Sequence, residues 1–322
     1  MREEGLMWRL WRAVLALGTA AAVAGGMALA GALPAAAAAP ITVCATGCDY
    51  TSIQAAISAA ASGALIDVQA GTYDGPLTID TNLTLAGAGA GQTTITVPPS
   101  GGTVITVGSG VSVMVKAVGI SGGSGAFGGG ILNESGAVLT LKEVTVSHNT
   151  ASEVGGAIFN DAGATLAADD SMLSGNTAAF GGGAMVNPGG TVSLTNTTVT
   201  GNRSLFAGAG GIGNNGTMSL SDSTITGNTA HGSGGGIFNN PSGTLAVSDS
   251  TVSGNTAGLD GGGLFNRGAA TLTGGTVSGN TAGVDGGGIY VSSGTVTLQD
   301  STVGGNVPDN CAPLGSVTGC TR

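Results

Sequence analysis

The chain has 322 residues, of which only 8% are charged and 3% aromatic, with 63 glycines and a net charge of −10 from 18 acidic against 8 basic residues. Ordinary soluble domains carry about 25% charge, so this surface must be solvated by Ser, Thr, Asn and backbone. The recurring Val, Ile and Leu, with a mean hydropathy of +0.35, exclude a disordered chain. Glycine without a three-residue period excludes collagen, and unclustered basic residues leave no footprint for nucleic acid.

Residues 1–39 read as a signal peptide. Arg2, Arg9 and Arg12 lead into an apolar run over 13–33, followed by small residues over 35–39. The run approaches the roughly 20 residues that span a bilayer, so an uncleaved anchor is the competing reading. Pro40 moves the expected cut into the alanines rather than after Ala39. Cleavage removes three Arg and two Glu and leaves five basic against sixteen acidic residues, a balance that suits solubility or cation binding. A secreted or cell-surface bacterial protein is expected, with no membrane contact after cleavage.

Residues 40–127 read as an N-terminal cap and irregular coils. Residues 51–61, TSIQAAISAAA, are the only helix-like stretch, placed where a solenoid's open end needs covering. Short strands are predicted at 65–68, 77–79, 83–85, 94–97, 103–107 and 111–115.

Residues 128–310 repeat. The dipeptide ending each unit is His148-Asn149, then Gly-Asn at Asn176, Asn202, Asn228, Asn255, Asn280 and Asn306, at intervals of 25 to 27 residues. A steady period of this size marks a stacked array. The unit is clearest at 234–257, GGGIFNNPSGTLAVSDSTVSGNTA, with three β-prone stretches separated by Gly, Asn, Pro or Ser. Alternation predicts three inward columns: Val146, Leu173, Val199, Ile225, Val252, Val277 and Val303; pairs such as Leu245 with Val247 and Met218 with Leu220; and Ile131, Ile158, Met185, Ile212, Ile237, Leu264 and Ile289. One coil cannot bury these residues, but stacking can. Like recurs beside like only if coils stack in parallel and in register. The fold class is therefore all-β, a right-handed parallel β-helix solenoid with three strands per coil and a short capping helix.

The asparagines ending each unit, and a second set at Asn133, Asn160, Asn187, Asn214, Asn239 and Asn266, are predicted to form amide ladders, with Asn itself adopting the left-handed corner. The Gly runs at 128–130, 181–183, 234–236, 261–263 and 286–288 are not phosphate loops, because no Gly-Lys-Ser/Thr follows.

Residues 311–322 form a tail. A solenoid of about ten coils at roughly 4.8 Å each sets its ends some 50 Å apart, beyond disulfide reach. Cys44 is therefore expected to pair with Cys48, and Cys311 with Cys320. A four-cysteine zinc site would need both ends together.

Residues 50–95, from YTSIQAAISAAA through GTYDGPLTI to GQTTI, resemble the opening of the pectin lyase-like superfamily, whose members begin a right-handed β-helix with such a cap. GGAIFN at 155–160 and GGGIFNN at 234–240 resemble the repeats of polymorphic outer membrane proteins, with Val or Ile where that family has Phe. NVPDNCAPLGSVTGC at 306–320 is similar to the tails of exported actinobacterial β-helix proteins of unassigned function. The superfamily's enzymes imply sharper motifs: Gly-x-x-Asp-Phe-Ile-Phe-Gly for a methylesterase, or Asn-Thr-Asp, Asp-Asp, Gly-His-Gly and Arg-Ile-Lys for a polygalacturonase. The sequence lacks the methylesterase motif and the polygalacturonase set, of which only an isolated Asp-Asp at 169–170 occurs.

Candidate chemistry is thin. Glu143, Asp170, Asn196, Asp222, Asp249, Gly274 and Asp300 share a column three residues before the core Val or Ile. Stacked at coil spacing, Asp222 and Asp249 repel by about 1 kcal/mol in water, so they splay into solvent or bridge a cation. They are the metal candidates, although calcium wants six to eight oxygens, and splaying is preferred. Asp260 and Asp285 form a shorter pair before triple Gly. Arg203 and Arg267, the residues a pectate-lyase mechanism would need, read as solvated turn residues. Pairs such as Thr198/Thr200, Thr224/Thr226 and Thr251/Ser253 make an outward array similar to ice-binding solenoids, although Thr is also simply a good exposed strand residue.

No catalytic residue and no cofactor is expected. The reading is a non-catalytic surface, adhesion or carbohydrate-binding scaffold whose partner is a polysaccharide or cell-surface glycan. A polysaccharide lyase or hydrolase acting on pectin-like polymers, and an ice-binding protein, are the alternatives.

Overall fold

The computed structural model describes residues 39–320. The signal-peptide reading therefore lies, apart from Ala39, outside the described residues. The chain winds as a parallel solenoid of about ten turns with three main sheets. The first sheet has eleven strands, from Ile41–Val43 and Ala64–Val68 up to Thr295–Gln299. The second has ten, from Gly71–Asp74 to Thr302–Gly304, and the third ten, from Leu77–Ile79 to Cys311–Ala312. Every recorded strand pairing is parallel, and like sits on like: Val199 on Ile225, Leu220 on Val247, Ile237 on Leu264. The predicted columns are buried, as in Val146, Leu173, Ile212 and Leu245.

Two expectations need adjustment. A narrow ribbon of six two-residue strands, from Thr150–Ala151 to Thr281–Ala282, sits between the second and third sheets, too short to show an alternation in sequence. The early coils are also regular. Leu83 and Leu85 pair with Val113 and Val115, and Leu77 with Ile105. Their core positions hold any apolar residue and their turns vary in length, so geometric register is kept while sequence periodicity is lost. Strands Gly71–Asp74 and Gly119–Ser121 add to those expected from the sequence. The single helix among the described residues, Ile53–Ala59, is N-capped by Ser52 and buries Ile53, Ala56 and Ile57 on the first coil.

Two kinds of corner turn the chain. Between the first and second sheets, one residue per coil is left-handed: Glu143 (φ 55°), Asp170 (49°), Asn196 (46°), Asp222 (52°), Asp249 (49°), Gly274 (63°) and Asp300 (49°). Except at Glu143, these are the residue types, Asp, Asn and Gly, that visit that region at least cost. Between the second sheet and the ribbon, the left-handed residue is the one before the ladder asparagine: His148 (φ 55°), Gly175 and Gly201 (62° and 63°), and their successors. This corrects the prediction that Asn itself takes the corner. The Gly turns the chain, which frees Asn to point inward.

Those inward asparagines are fully engaged. Each Nδ2 donates to the Oδ1 one coil on: Asn149 to Asn176 (3.1 Å), Asn176 to Asn202, Asn202 to Asn228 and Asn228 to Asn255 (2.9 Å each), Asn255 to Asn280 (3.0 Å) and Asn280 to Asn306 (2.9 Å). The other Nδ2 proton goes to the carbonyl of a core residue one coil back, as from Asn228 to Val199. Oδ1 also accepts the preceding Asn's backbone N–H, as Asn228 does from Asn202. Gly123 N–H caps the first amide, and Asn310 receives the last. The second ladder runs from Asn133 to Asn266 in the same way, but opens on an unpartnered, buried Asn133 Oδ1, because Val107 occupies its column one coil back. A third ladder joins the two expected ones. Hydroxyls of Ser171, Thr197, Ser223, Ser250 and Ser301 bond the corner carbonyl two residues back and, except for Thr197, accept a backbone N–H of the coil below.

Cys44 pairs with Cys48 and Cys311 with Cys320. Val317 of the tail is buried against the last coil.

Asn228→Ala strands Asn202's amide donors and opens a buried gap, so it should cost on the order of 3 kcal/mol or more. Thr226→Ala, two residues away with its side chain on the outer face, should cost under about 0.5 kcal/mol. Chemical denaturation of the two variants checks the contrast.

Candidate functional site

The outward faces of the first two sheets are mostly Thr, Ser and Ala. The third sheet differs. Its central outward column reads Leu132, Phe159, Val186, Gly213, Phe238, Phe265, Tyr290. Phe238 packs tilted on Phe265 with ring centroids 4.6 Å apart, and Phe265 stacks on Tyr290 at 5.4 Å. The loop entering each third-sheet strand adds a second apolar rank. Within it, Phe127, Phe180 (51% exposed), Phe206 (66% exposed) and Leu259 stand in solvent, with Phe127 packed on Phe159 at 5.3 Å and Phe180 against Phe206 at 5.9 Å. On the other side run the turn residues Glu134, Asp161, Pro188, Asn215, Asn240 and Arg267, each following a ladder asparagine. An aromatic floor between an apolar and a polar rim makes a groove along the solenoid axis. Exposed apolar surface of this kind is the form a binding face takes.

The groove deepens where the repeat breaks. In five of the six ribbon strands the residues are Thr-Ala, but in the coil at 203–216 they are Arg203-Ser204. The same coil puts Ala209 at φ 61°, a left-handed conformation that costs an alanine about 1–2 kcal/mol. It also places Gly213 in the aromatic column. Most glycines here are forced by their surroundings: a Cβ on Gly210 or Gly211 would strike backbone of the next coil. Gly213 is not. Its φ is not positive, and an added Cβ would meet Ala209 Cβ at 3.5 Å and Val186 Cγ2 at 3.6 Å, ordinary contact distances. The fold would accept a side chain at 213, so the missing ring leaves a notch.

That notch has a volume of 270 Å³ and is lined by Phe180, Val186, Ala209, Gly213, Asn215, Phe238 and Asn240, among others, with no ionisable side chain in its wall. Asn215 is held by Pro188 O (3.1 Å). A second hollow of 360 Å³ lies on the same face at Phe127, Leu132 and Phe159, with Glu134 and Asp161 on its rim. Their carboxylates brace turns: Glu134 accepts from the N–H and hydroxyl of Ser109 one coil earlier (3.2 and 3.0 Å), and Asp161 from Ala162 N–H in its own turn (2.7 Å).

Sequence reasoning missed this site because it read IFN, MVN, IGN and LFN as core plus ladder and left the middle residue unassigned. The signal was available in that column's composition. Asp222 and Asp249 do share a column, but as left-handed corners, and Asp222 takes a hydrogen bond from Ser221 Oγ (2.8 Å). Among the described residues no three His, Cys, Asp or Glu side chains gather as metal ligands. Arg203 stands on the ribbon between Thr177 and Thr229, whereas Arg267 lies on the groove's polar rim, so the structure does not bring them together. The Thr/Ser array on the second sheet is in register, with Thr198/Thr200 on Thr224/Thr226 on Thr251/Ser253, but Met172 interrupts one column. Asp260 lies near Asp285, whose N–H it accepts at 3.3 Å. Burial raises its carboxyl above the usual range; the Asp285 N–H opposes this, and the Asp285 charge adds to it.

Residues 162–321 match the family described as a right handed beta helix region, and residues 143–161 match the Chlamydia polymorphic membrane protein repeat. No curated protein matches the chain. Solved structures of similar fold include the pectin methylesterase from Aspergillus niger in deglycosylated form (13% identity, TM-score 0.47, covering 88% of this chain and 90% of that one). Pectate lyase Pel9A (16%, 0.47, 78% and 73%) and pectin methylesterase PemA from Erwinia chrysanthemi (11%, 0.43, 82% and 91%) are others. These likenesses concern the fold alone. The coil geometry makes the chain a right-handed parallel β-helix repeat protein in fold, and the family match falls on its C-terminal part.

The corners and the acid pair can each be tested. Asp222→Asn should leave stability unchanged, whereas Asp222→Val should cost about 1–2 kcal/mol, since a β-branched residue resists positive φ; thermal melts compare them. Asp260 has a folded pKa above its unfolded one, so the native state holds its proton more tightly, and that advantage is complete at low pH and lost as pH rises through the folded pKa. Asp260→Asn should therefore raise the melting temperature at neutral pH, and the gain should vanish in acid, below the carboxyl's unfolded pKa.

Proposed function

We propose that this protein is an exported, non-catalytic carbohydrate-binding scaffold that lays a glycan chain along the third-sheet groove. The observation that carries the reading is the notch at Gly213, an opening in an aromatic column that neither backbone nor packing requires. A hexose offers a flat face of C–H groups that packs on an aromatic ring, and a rim of hydroxyls that need donors and acceptors. Phe180 and Phe238 supply the first, and Asn215 and Asn240 the second. An amide both donates and accepts, so it suits hydroxyls better than a charged group would.

The polymer follows from the direction of the groove. Its floor runs coil to coil at roughly 4.8 Å, and the two hollows lie on one face. The notch wall holds no general acid, base or nucleophile, and in the second hollow the carboxylates of Glu134 and Asp161 are engaged by Ser109 and Ala162; acid–base catalysis needs such a group within hydrogen-bond reach of the bond it breaks. Holding the chain rather than cutting it is the chemistry this wall supports. Among the described residues no helix is long and apolar enough to cross a membrane. Two disulfides are the usual mark of an oxidising compartment, which agrees with export.

A glycan array followed by calorimetry tests the reading. Oligosaccharides should bind more tightly as they lengthen across both hollows. Gly213→Val, which fills the notch without disturbing a left-handed turn, should weaken binding at least about tenfold, as should Phe238→Ala, the loss of one ring contact of about 1.4 kcal/mol. Affinity unchanged by Gly213→Val, or steady release of shorter products, would overturn it.

A further inference from the structure

The two ends of the solenoid are finished differently. At the N-terminal end, the outer strand of the first sheet, Ile41–Val43, is closed by its own loop. Thr42 N–H donates to Asp49 Oδ2 (2.8 Å), Tyr50 N–H donates to Thr42 O, and Cys44 N–H to Tyr50 O (3.1 Å each). The Cys44–Cys48 disulfide staples that loop. The outer strand of the third sheet, Leu77–Ile79, is closed by one side chain: Gln54 Oε1 accepts Thr78 N–H (2.8 Å), and Gln54 Nε2 donates to Thr78 O (3.2 Å). Both edges are blocked against further pairing.

At the C-terminal end each sheet finishes on an outermost strand; the third does so on Cys311–Ala312, which pairs with Ile289–Tyr290 and is tied to the tail by the Cys311–Cys320 disulfide. The first sheet ends on Thr295–Gln299 and the second on Thr302–Gly304. Thr295 N–H and Gln299 O bond back to the preceding coil, so the alternating backbone groups of Val296 and Leu298 point away from it, and among the described residues nothing meets them. Leu298 and Val303 are only partly buried, whereas Leu272 and Val277 one coil earlier are fully buried. Natural edges are normally guarded by Lys, Pro, a bulge or a cover. The strand TVTLQ carries none of these.

We infer that this edge is an interaction surface for a second copy of the chain, pairing antiparallel through Thr295–Gln299 about a two-fold axis at Thr297. The register is self-consistent. A two-fold at Thr297 sets Val296 opposite Leu298 of the other copy, and these are the residues whose N–H and C=O face outward. They form the hydrogen-bonded pairs an antiparallel ladder needs, with Thr297 as the non-hydrogen-bonded pair between them. Val296 and Leu298 also point inward in both copies, so they share one face of the paired strands. Thr295 faces Gln299, and no charges oppose each other within the paired strands. The N-terminal edge of the first sheet is blocked and cannot receive Thr295–Gln299, so this edge pairs with its own copy and the contact closes as a dimer.

The test is the solution mass of the purified protein by light scattering, with variants on the exposed face. The wild type should show twice the chain mass at micromolar concentration. Thr297→Lys, which places like charges across the axis, should return the monomer mass, and Thr271→Lys, on the same outer face one coil earlier, should not. Thr297→Cys should form an intermolecular disulfide under mild oxidation. A wild type that stays monomeric while the Thr297→Cys variant fails to cross-link, or a dimer untouched by Thr297→Lys, would overturn the inference.

Discussion

The structure depends on one constraint: the buried backbone and side-chain polar groups of each coil must be satisfied by the coils beside it. Helices satisfy their own hydrogen bonds, but a coil of a solenoid satisfies almost none. The asparagine ladders meet this requirement inside the core, where an unmade amide bond costs most. Because each amide donates toward the C-terminal end and accepts from the N-terminal side, one missing member strands its neighbours. The ladders therefore fix register as well as stability. Period and residue type at those positions are tightly set, and everything outward of them is free to vary.

That division explains what the sequence made legible. The three inward columns, both ladders, the parallel register and the two disulfides could be read, because burial and amide geometry impose a residue type at a fixed spacing. The coils before Gly128 were harder to read, since Leu77, Leu83 and Ile105 need only be apolar. The third-sheet groove was not recognised. Its residues are outward, and whether an outward Phe meets solvent, a loop or another ring depends on which columns the fold sets side by side. Asp222 and Asp249 carry two readings in sequence, solvent-splayed or cation-bridging, for a related reason: a carboxylate that suits a left-handed corner looks the same as one placed for its charge.

The groove and the regular scaffold are complementary. Thr-Ala ribbons, triple-Gly turns and Val columns recur with little change, so the coil at 203–216 stands out by departing at Arg203, Ser204, Ala209 and Gly213 together. Ala209 carries backbone strain and Gly213 gives up a ring that would have stacked; both losses fall around one notch. Stacked neighbours hold that coil in place, which lets it tolerate a local loss that an isolated hairpin could not. A long rigid column thus presents a site built from loop and turn residues, without mobile elements to position it.

Hydrogen exchange with and without a saturating oligosaccharide tests the account most directly, because it locates binding without assuming which side chain matters. The account predicts added protection confined to the third-sheet face, centred on residues 180–186 and 205–215, with the first and second sheets unchanged. Protection centred on the Thr columns of the second sheet, or none with any glycan, would contradict it.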